Sequence, residues 1–377
     1  MNNKLKENKN RIKTETKTND RLLSLDFFRG LTMFLLIAEF ARIFPLLVAP
    51  EFKGTIIHFI GIQLQHVNWE GLHFWDLIQP FFMFIVGVAM PLSFSKRIAK
   101  GDSYKQLTIH AMKRAFIMLV LGWGLYCIDP GRIVFRFQNV LAQLSVAYML
   151  AFFIIRKPVS VQIGFSILLI LITEGLYRFF PLEGFNNAFV GGENFGTWSN
   201  FLISGERGDG DWAIFNAIPT AAHTIWGVVA GQLLMSNYSD KKKLGLLFAA
   251  GVVGLIIGYG LSPITPMIKR IATSTFVFAS GGWTLIALAL CYWIIDIKKH
   301  QKGVLFFAIV GMNTLFIYLF AHVGGANLIR KTLLPFSNAL FGWTGELGAQ
   351  IILSTLVLFL LWYICYWLYK RKIFIRI

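Results

Sequence analysis

From residue 22 onward the chain is a succession of long apolar runs separated by short polar connections. Ten runs approach or exceed the roughly 20 residues that a helix needs to cross a hydrocarbon core about 30 Å thick. They lie at about 22–44, 75–95, 112–128, 138–155, 159–180, 214–236, 243–262, 275–297, 303–322 and 348–370. None shows the ten-residue alternation of a membrane strand. The pattern therefore predicts an all-α fold, a polytopic integral membrane bundle of about ten transmembrane helices. Three connections are longer than the rest, at about 45–74, 181–213 and 323–347. The last is apolar enough to dip into a membrane or lie on it. Residues 22–377 read as one transmembrane domain, preceded by a polar tail at 1–21.

Charge orients the bundle. The chain carries 36 Lys and Arg against 19 Asp and Glu, a formal net charge of +17. Twenty-six of the basic residues fall in the tail 1–21, at Arg29, and in alternate connections at 96–114, 156–157, 241–243, 298–302 and 370–376. The other ten, Lys269 among them, fall on the opposite side. The positive-inside rule then places both termini in the cytoplasm and the three long connections outside. The tail, almost free of large apolar residues, is expected to be disordered and to lie on anionic lipid. A nucleic-acid partner is not expected, because the basic residues mark membrane topology and no soluble basic face gathers them. With 56% hydrophobic and 15% charged residues, and a mean hydropathy of +0.61, the composition is that of a lipid-embedded chain. Cys127, Cys291 and Cys365 lie in separate apolar runs with no metal-ligand spacing, and read as packing residues without a metal site.

The richest chemistry is the strip 65–76, where His66, Glu70, His73 and Asp76 run directly into an apolar helix. An imidazole takes and returns a proton near neutral pH, which makes His66 the leading catalytic candidate. If the strip is helical, Glu70 stands at i+4 and orients the ring; Asp76 sits at the mouth of the next helix, where a first-turn acid is also favoured by the helix dipole. Trp69 and Trp75 read as interfacial belt residues. Two further ionisable groups fall within apolar runs, Glu39 and His223, and such groups are site candidates by default; Glu39 has Arg42 within reach as an alternative partner. On the basic side, Asp26, Arg29, Lys113 and Arg114, with Lys96 and Arg97 nearby, form a set able to hold an anionic cofactor by charge-assisted hydrogen bonds, or simply to anchor the helices. The connection 181–213, with Trp198, Trp212, Gly and Asn, suits contact with sugar rings or with lipid headgroups.

Four blocks carry a family resemblance: SLDFFRGLTM at 24–33, HVNWEGLHFWDLIQPFFMFIVGVAMPLS at 66–93, TSTFVFASGGW at 273–283 and GMNTLFIYLF at 311–320. In this order they resemble the heparan-α-glucosaminide N-acetyltransferase family of transmembrane acyltransferases, from about residue 21 to the C-terminus. The chain looks most like a bacterial branch often described as related to N-acetylglucosamine uptake, which implies a bacterial plasma (inner) membrane. The resemblance implies acetyl-CoA as acyl donor from the cytosol, an amino sugar or glycan as acceptor outside, and catalysis by His66. The chain departs from the family pattern at Glu39-Phe40, where the family has asparagine, and at Ala142-Gln143, where it has Gln-Arg.

These readings converge on a membrane acetyltransferase with Glu39, Asp76 and His223 shaping the site around His66. The bilayer surrounds it, and a second copy of the chain is a candidate partner. A transporter of amino sugars or their fragments, using Glu39 and His223, is the alternative; a non-catalytic subunit of a glycan-processing complex is a third. Inverted repeats would favour transport, and the two halves share no recognisable blocks.

Overall fold

All ten apolar stretches fall on helices, and among the described residues no strand forms. The computed structural model describes residues 22–375, so the basic tail falls outside the described residues. The α-helices of eight residues or more are α1 (Leu23–Phe40), α2 (Ile56–Gln63), α3 (Ile78–Ala99), α4 (Tyr104–Ile128), α5 (Val140–Ile154), α6 (Val159–Phe179), α7 (Phe195–Ser204), α8 (Ala217–Met235), α9 (Asp240–Gly260), α10 (Ser274–Cys291), α11 (Val304–Met312), α12 (Thr314–His322), α13 (Gly325–Phe341) and α14 (Gly345–Lys370). Among the described residues, six helical segments are long and apolar enough to cross a membrane, or seven if α11 and α12 form one bent span.

Small residues set the closest contacts. A Cβ on Gly87 of α3 would collide with the Thr224 carbonyl of α8, and one on Gly30 of α1 with the Phe307 carbonyl of α11. Such side-chain-free contacts let helix backbones approach where lipid gives no hydrophobic drive for association. The Arg29-Gly30 pair thus has a structural half: the glycine seats α1 on α11 and leaves Arg29 beside it.

Four segments differ from the sequence expectation. The run 303–322 is broken at Asn313, where α11 and α12 meet at 69°. The Asn313 side-chain amide holds the C-terminal segment, donating from Nδ2 to Ile373 O at 3.0 Å and accepting at Oδ1 from Ile375 N at 3.0 Å. The connection 323–347 contains the helix α13, and 181–213 contains α7, capped by Asn194. The strip 65–73 is not helical.

Helices α1 and α3 run antiparallel and define the two ends of the molecule. At one end Glu39 of α1 meets Trp75, just ahead of α3. At the other, Asp26 and Arg29 of α1 share a cavity with Lys96 of α3.

Candidate functional site

The turn Phe74–Leu77 that opens α3 is capped by Asp76, whose Oδ2 accepts from His73 N at 3.0 Å and Val67 N at 3.4 Å. Its other oxygen, Oδ1, accepts from His66 Nδ1–H at 2.7 Å. An ionised carboxylate only accepts, so the ring proton sits on Nδ1 and the Nε2 lone pair is left free. Lys269 completes the group, with Nζ 3.4 Å from Asp76 Oδ1 and 3.2 Å from His66 Nδ1. An ammonium and an N–H are both donors, so the second contact is Coulombic repulsion rather than a bond. Burial, assisted by Lys269 and opposed by the Asp76 bond, lowers the His66 pKa from its usual value. The result is an imidazole held neutral, correctly oriented and 41% exposed.

Lys269 itself is 7% exposed, and burial pushes its ammonium down to about 8 against the pull of Asp76. Its loop is fixed from several sides. Gly71 N donates to Met267 O at 2.8 Å, Glu70 and Ile268 form a β-bridge, and Ile268 N donates to the Thr273 hydroxyl at 2.9 Å. Sequence reading counted Lys269 only as a topological exception. Its signal was its place four residues ahead of the TSTFVFASGGW block.

The other predicted residues divide. Asp76, not Glu70, orients His66: Glu70 is exposed and enters the site only through its backbone bridge to Ile268. Glu39 joins the group through Trp75, whose Nε1–H donates to Glu39 Oε1 at 3.1 Å; Arg42 instead reaches Asn327 Oδ1 at 3.4 Å. Trp75 is 2% exposed and Trp69 donates to Phe189 O at 2.8 Å, so both are packing residues rather than belt residues. His223 is fully buried between α8 and α10, with Nε2 2.9 Å from Ser280 Oγ and 3.2 Å from Val277 O, and Nδ1 3.3 Å from Thr220 O. Those bonds tie two helices together and none reaches His66.

At the opposite end lies a cavity of about 610 Å³. Its rim carries Asp26, Arg29, Lys96 and Arg114, and its depth is apolar, from Met33, Phe82 and Leu144 to Tyr318. Arg114 Nε is buried with no hydrogen-bond partner among the described residues. Lys113 is exposed and does not line the cavity. From Lys96 to Phe82 the cavity follows α3 for about 20 Å at 1.5 Å per residue. One turn further toward His66, Gln79 Nε2 donates to Gln143 Oε1, and Gln143 Nε2 donates to Gln138 O at 3.0 Å. Gln79 lies on α3 between Phe82 of the cavity and the turn that carries Asp76.

No protein-family model matches the chain. Over 422 aligned positions it is 23% identical to heparan-alpha-glucosaminide N-acetyltransferase of Homo sapiens, covering 95% of this chain and 60% of that protein. The Mus musculus protein of the same name is 22% identical, with 97% and 62% covered. The chain spans about three fifths of the length of these curated relatives. It is an all-α membrane protein distantly related to the heparan-alpha-glucosaminide N-acetyltransferases.

Proposed function

We propose that the chain is a membrane acetyltransferase that takes an acetyl group from acetyl-CoA, entering at the cytosolic end, and passes it to an amino sugar or glycan outside. One observation carries this reading. The same antiparallel helices that hold a neutral, carboxylate-oriented imidazole at one end enclose a basic-rimmed apolar cavity at the other. Arg29, Lys96 and Arg114, which line the cavity, would meet the CoA phosphates. The apolar depth would take the pantetheine arm. The thioester would then part the Gln79–Gln143 contact to reach the outer end.

The acceptor amine attacks the thioester carbonyl carbon while His66 Nε2 takes a proton from the amine. The C–S bond breaks, the CoA thiolate departs, and the imidazolium returns its proton to give the thiol. Asp76 favours the imidazolium as it forms, and Lys269 restores the neutral ring afterwards.

The test uses the purified full chain. Acetyl-CoA should raise its Tm more than amino sugars do, and labelled acetyl should pass to glucosamine. His66→Ala should lower transfer by about 10²- to 10⁴-fold with the fold intact. Full transfer by His66→Ala would overturn the assigned base. Uptake of labelled sugar into proteoliposomes without CoA would favour transport instead.

A further inference from the structure

Of the ten basic residues on the outer side, Arg136, Arg178, Arg207 and Lys269 pair with the carboxylates of Glu206, Glu174, Asp211 and Asp76. Arg42 and Arg330 pair with no carboxylate among the described residues, although the fold brings them to one seam. Arg330 Nη1 of α13 donates to Ala41 O at 3.3 Å, beside Arg42, and Arg42 Nη2 donates to Asn327 Oδ1 at 3.4 Å, one turn before Arg330. Ser354 Oγ at 3.0 Å and Gln350 Oε1 at 2.6 Å fix Arg330 to α14. All four acceptors are neutral. A guanidinium carries five N–H groups, so the three bonds of Arg330 leave at least two unused, on a partly buried side chain beside the exposed Arg42. Glu39, one turn before Arg42, accepts from Trp75 instead. Arg42 also sits at φ +61°, a left-handed backbone that glycine or asparagine would adopt more cheaply. An arginine there needs a use for its side chain.

We propose that Arg42 and Arg330 hold the phosphate of an anionic phospholipid of the outer leaflet, whose acyl chains cover the apolar surface of α13. Two cations on one seam repel each other until an anion joins them, and a phosphate supplies both the charge and the acceptor oxygens for the unused N–H groups. The surroundings decide which phosphate. Leu328 and Leu334 of α13 are exposed on either side of Lys331, and the apolar surface continues through Phe336, 64% exposed, and Leu340 to Trp343, 84% exposed. A soluble anion would leave that surface in water; a phospholipid covers it, as lipid does for an interfacial helix with basic residues at its edge. Lys331, exposed next to Arg330, adds a third positive charge. A zwitterionic headgroup brings an ammonium that this cluster repels, so the site selects a net negative lipid. Its occupancy steadies the end of α1, three residues from Glu39, whether or not the chain transfers acetyl groups.

The experiment uses the purified full chain in a mild detergent, with lipid binding titrated by native mass spectrometry and Tm followed in parallel. The probes are phosphatidylglycerol, phosphatidylcholine with the same acyl chains, and inorganic phosphate. Phosphatidylglycerol should bind more tightly than phosphatidylcholine and raise the Tm more than either other probe at equal concentration. Arg42→Gln and Arg330→Gln should each weaken phosphatidylglycerol binding about fivefold, as loss of one basic residue at a lipid surface does. Lys113→Gln, on the opposite side of the bundle, should change it by less than about twofold. Arg330→Gln also gives up the bonds to Ser354 and Gln350, so Arg42→Gln, whose one printed-out bond is the long one to Asn327, reads the charge with the fold intact. Arg330→Lys keeps the charge, loses the fork and should fall between wild type and Arg330→Gln. Equal binding of the two lipids, or phosphatidylglycerol binding unchanged in Arg42→Gln, would overturn the site. A Tm gain from inorganic phosphate that matches the lipid's would overturn the lipid as its occupant.

Discussion

Replacing Lys269 by Met should move the acid limb of the rate profile to higher pH. The change removes a cation 3.2 Å from His66 Nδ1 while keeping an unbranched chain in a buried slot. Asp76 keeps its bonds from His66, His73 and Val67. In the wild type Lys269 titrates at about 8, so it is charged throughout the range in which His66, with its lowered pKa, takes up a proton. The His66 ring is half in solvent, which calls for a strongly screened interaction. At 3.2 Å and an effective dielectric of about 40 to 80, the repulsion of an imidazolium is about 1.3–2.6 kcal/mol, or about one to two pH units.

The sign follows from the base needing to be neutral. Without Lys269 the imidazolium is less disfavoured, the His66 pKa rises, and on the proposed mechanism a larger share of the protein is protonated and inactive at a given acid pH. The other charges facing the ring are Asp76 and Arg270, with Glu39 acting on Lys269 from behind Trp75; none is altered. Below both midpoints Lys269→Met should be slower by about ten- to hundredfold, and above about pH 8, where Lys269 of the wild type discharges, the two profiles should converge. The assay is kcat/KM for acetyl transfer from pH 5 to 9, as the ratio of variant to wild type; the acceptor amine titrates identically in both and cancels. Lys269→Arg should restore the limb. A ratio flat with pH, or a limb moved to lower pH, would refute the electrostatic role.

Other perturbations separate the remaining parts of the site. Gln143→Leu removes both ends of the amide link between Gln79 and Gln138 and should lower kcat while leaving the KM for acetyl-CoA near its wild-type value, because the rim is untouched; steady-state kinetics read both. Arg114→Gln should raise the KM for acetyl-CoA about tenfold by loss of a charge-assisted bond, whereas Lys113→Gln, outside the cavity, should leave it unchanged. His223→Ala strips the link from α8 to Ser280 and Val277 and should destabilise the bundle by about 2–4 kcal/mol. Its Tm should fall while transfer per folded molecule persists, the reverse of the pattern expected for His66→Ala.

The helices were legible because burial in lipid demands continuous apolar runs, and a run of that kind has few alternatives. His66 and Asp76 were legible for a related reason: polar residues packed against the mouth of such a run have to serve something. Their pairing was harder to read. Placing Glu70 at i+4 from His66 presupposes a helix, and Gly71, at φ +125°, adopts a backbone that no helix contains. The strip is instead held open by the bridge between Glu70 and Ile268, some 200 residues downstream, and local spacing carries no trace of a contact so remote. Lys269 arrives by the same loop, so its contact with the base was hidden for the reason that Glu70 was misplaced, and only its place just ahead of the TSTFVFASGGW block marked it.

The ionisable residues inside the apolar runs teach the complementary point. An acid or imidazole in a membrane segment must find a partner, but the partner decides the meaning. Glu39 finds Trp75 and is drawn against the His66 site, while His223 finds Ser280 and becomes a strut. Gln79 donates to Gln143, at a level of α3 between the cavity and the turn that carries Asp76. A polar pair there is easier to separate than interlocked apolar side chains would be, because a thioester oxygen can take up an amide donor that the separation frees. A seal that only excluded solvent would be built more stably from leucine and phenylalanine, so the use of amides at this level argues for a barrier that opens to a polar visitor.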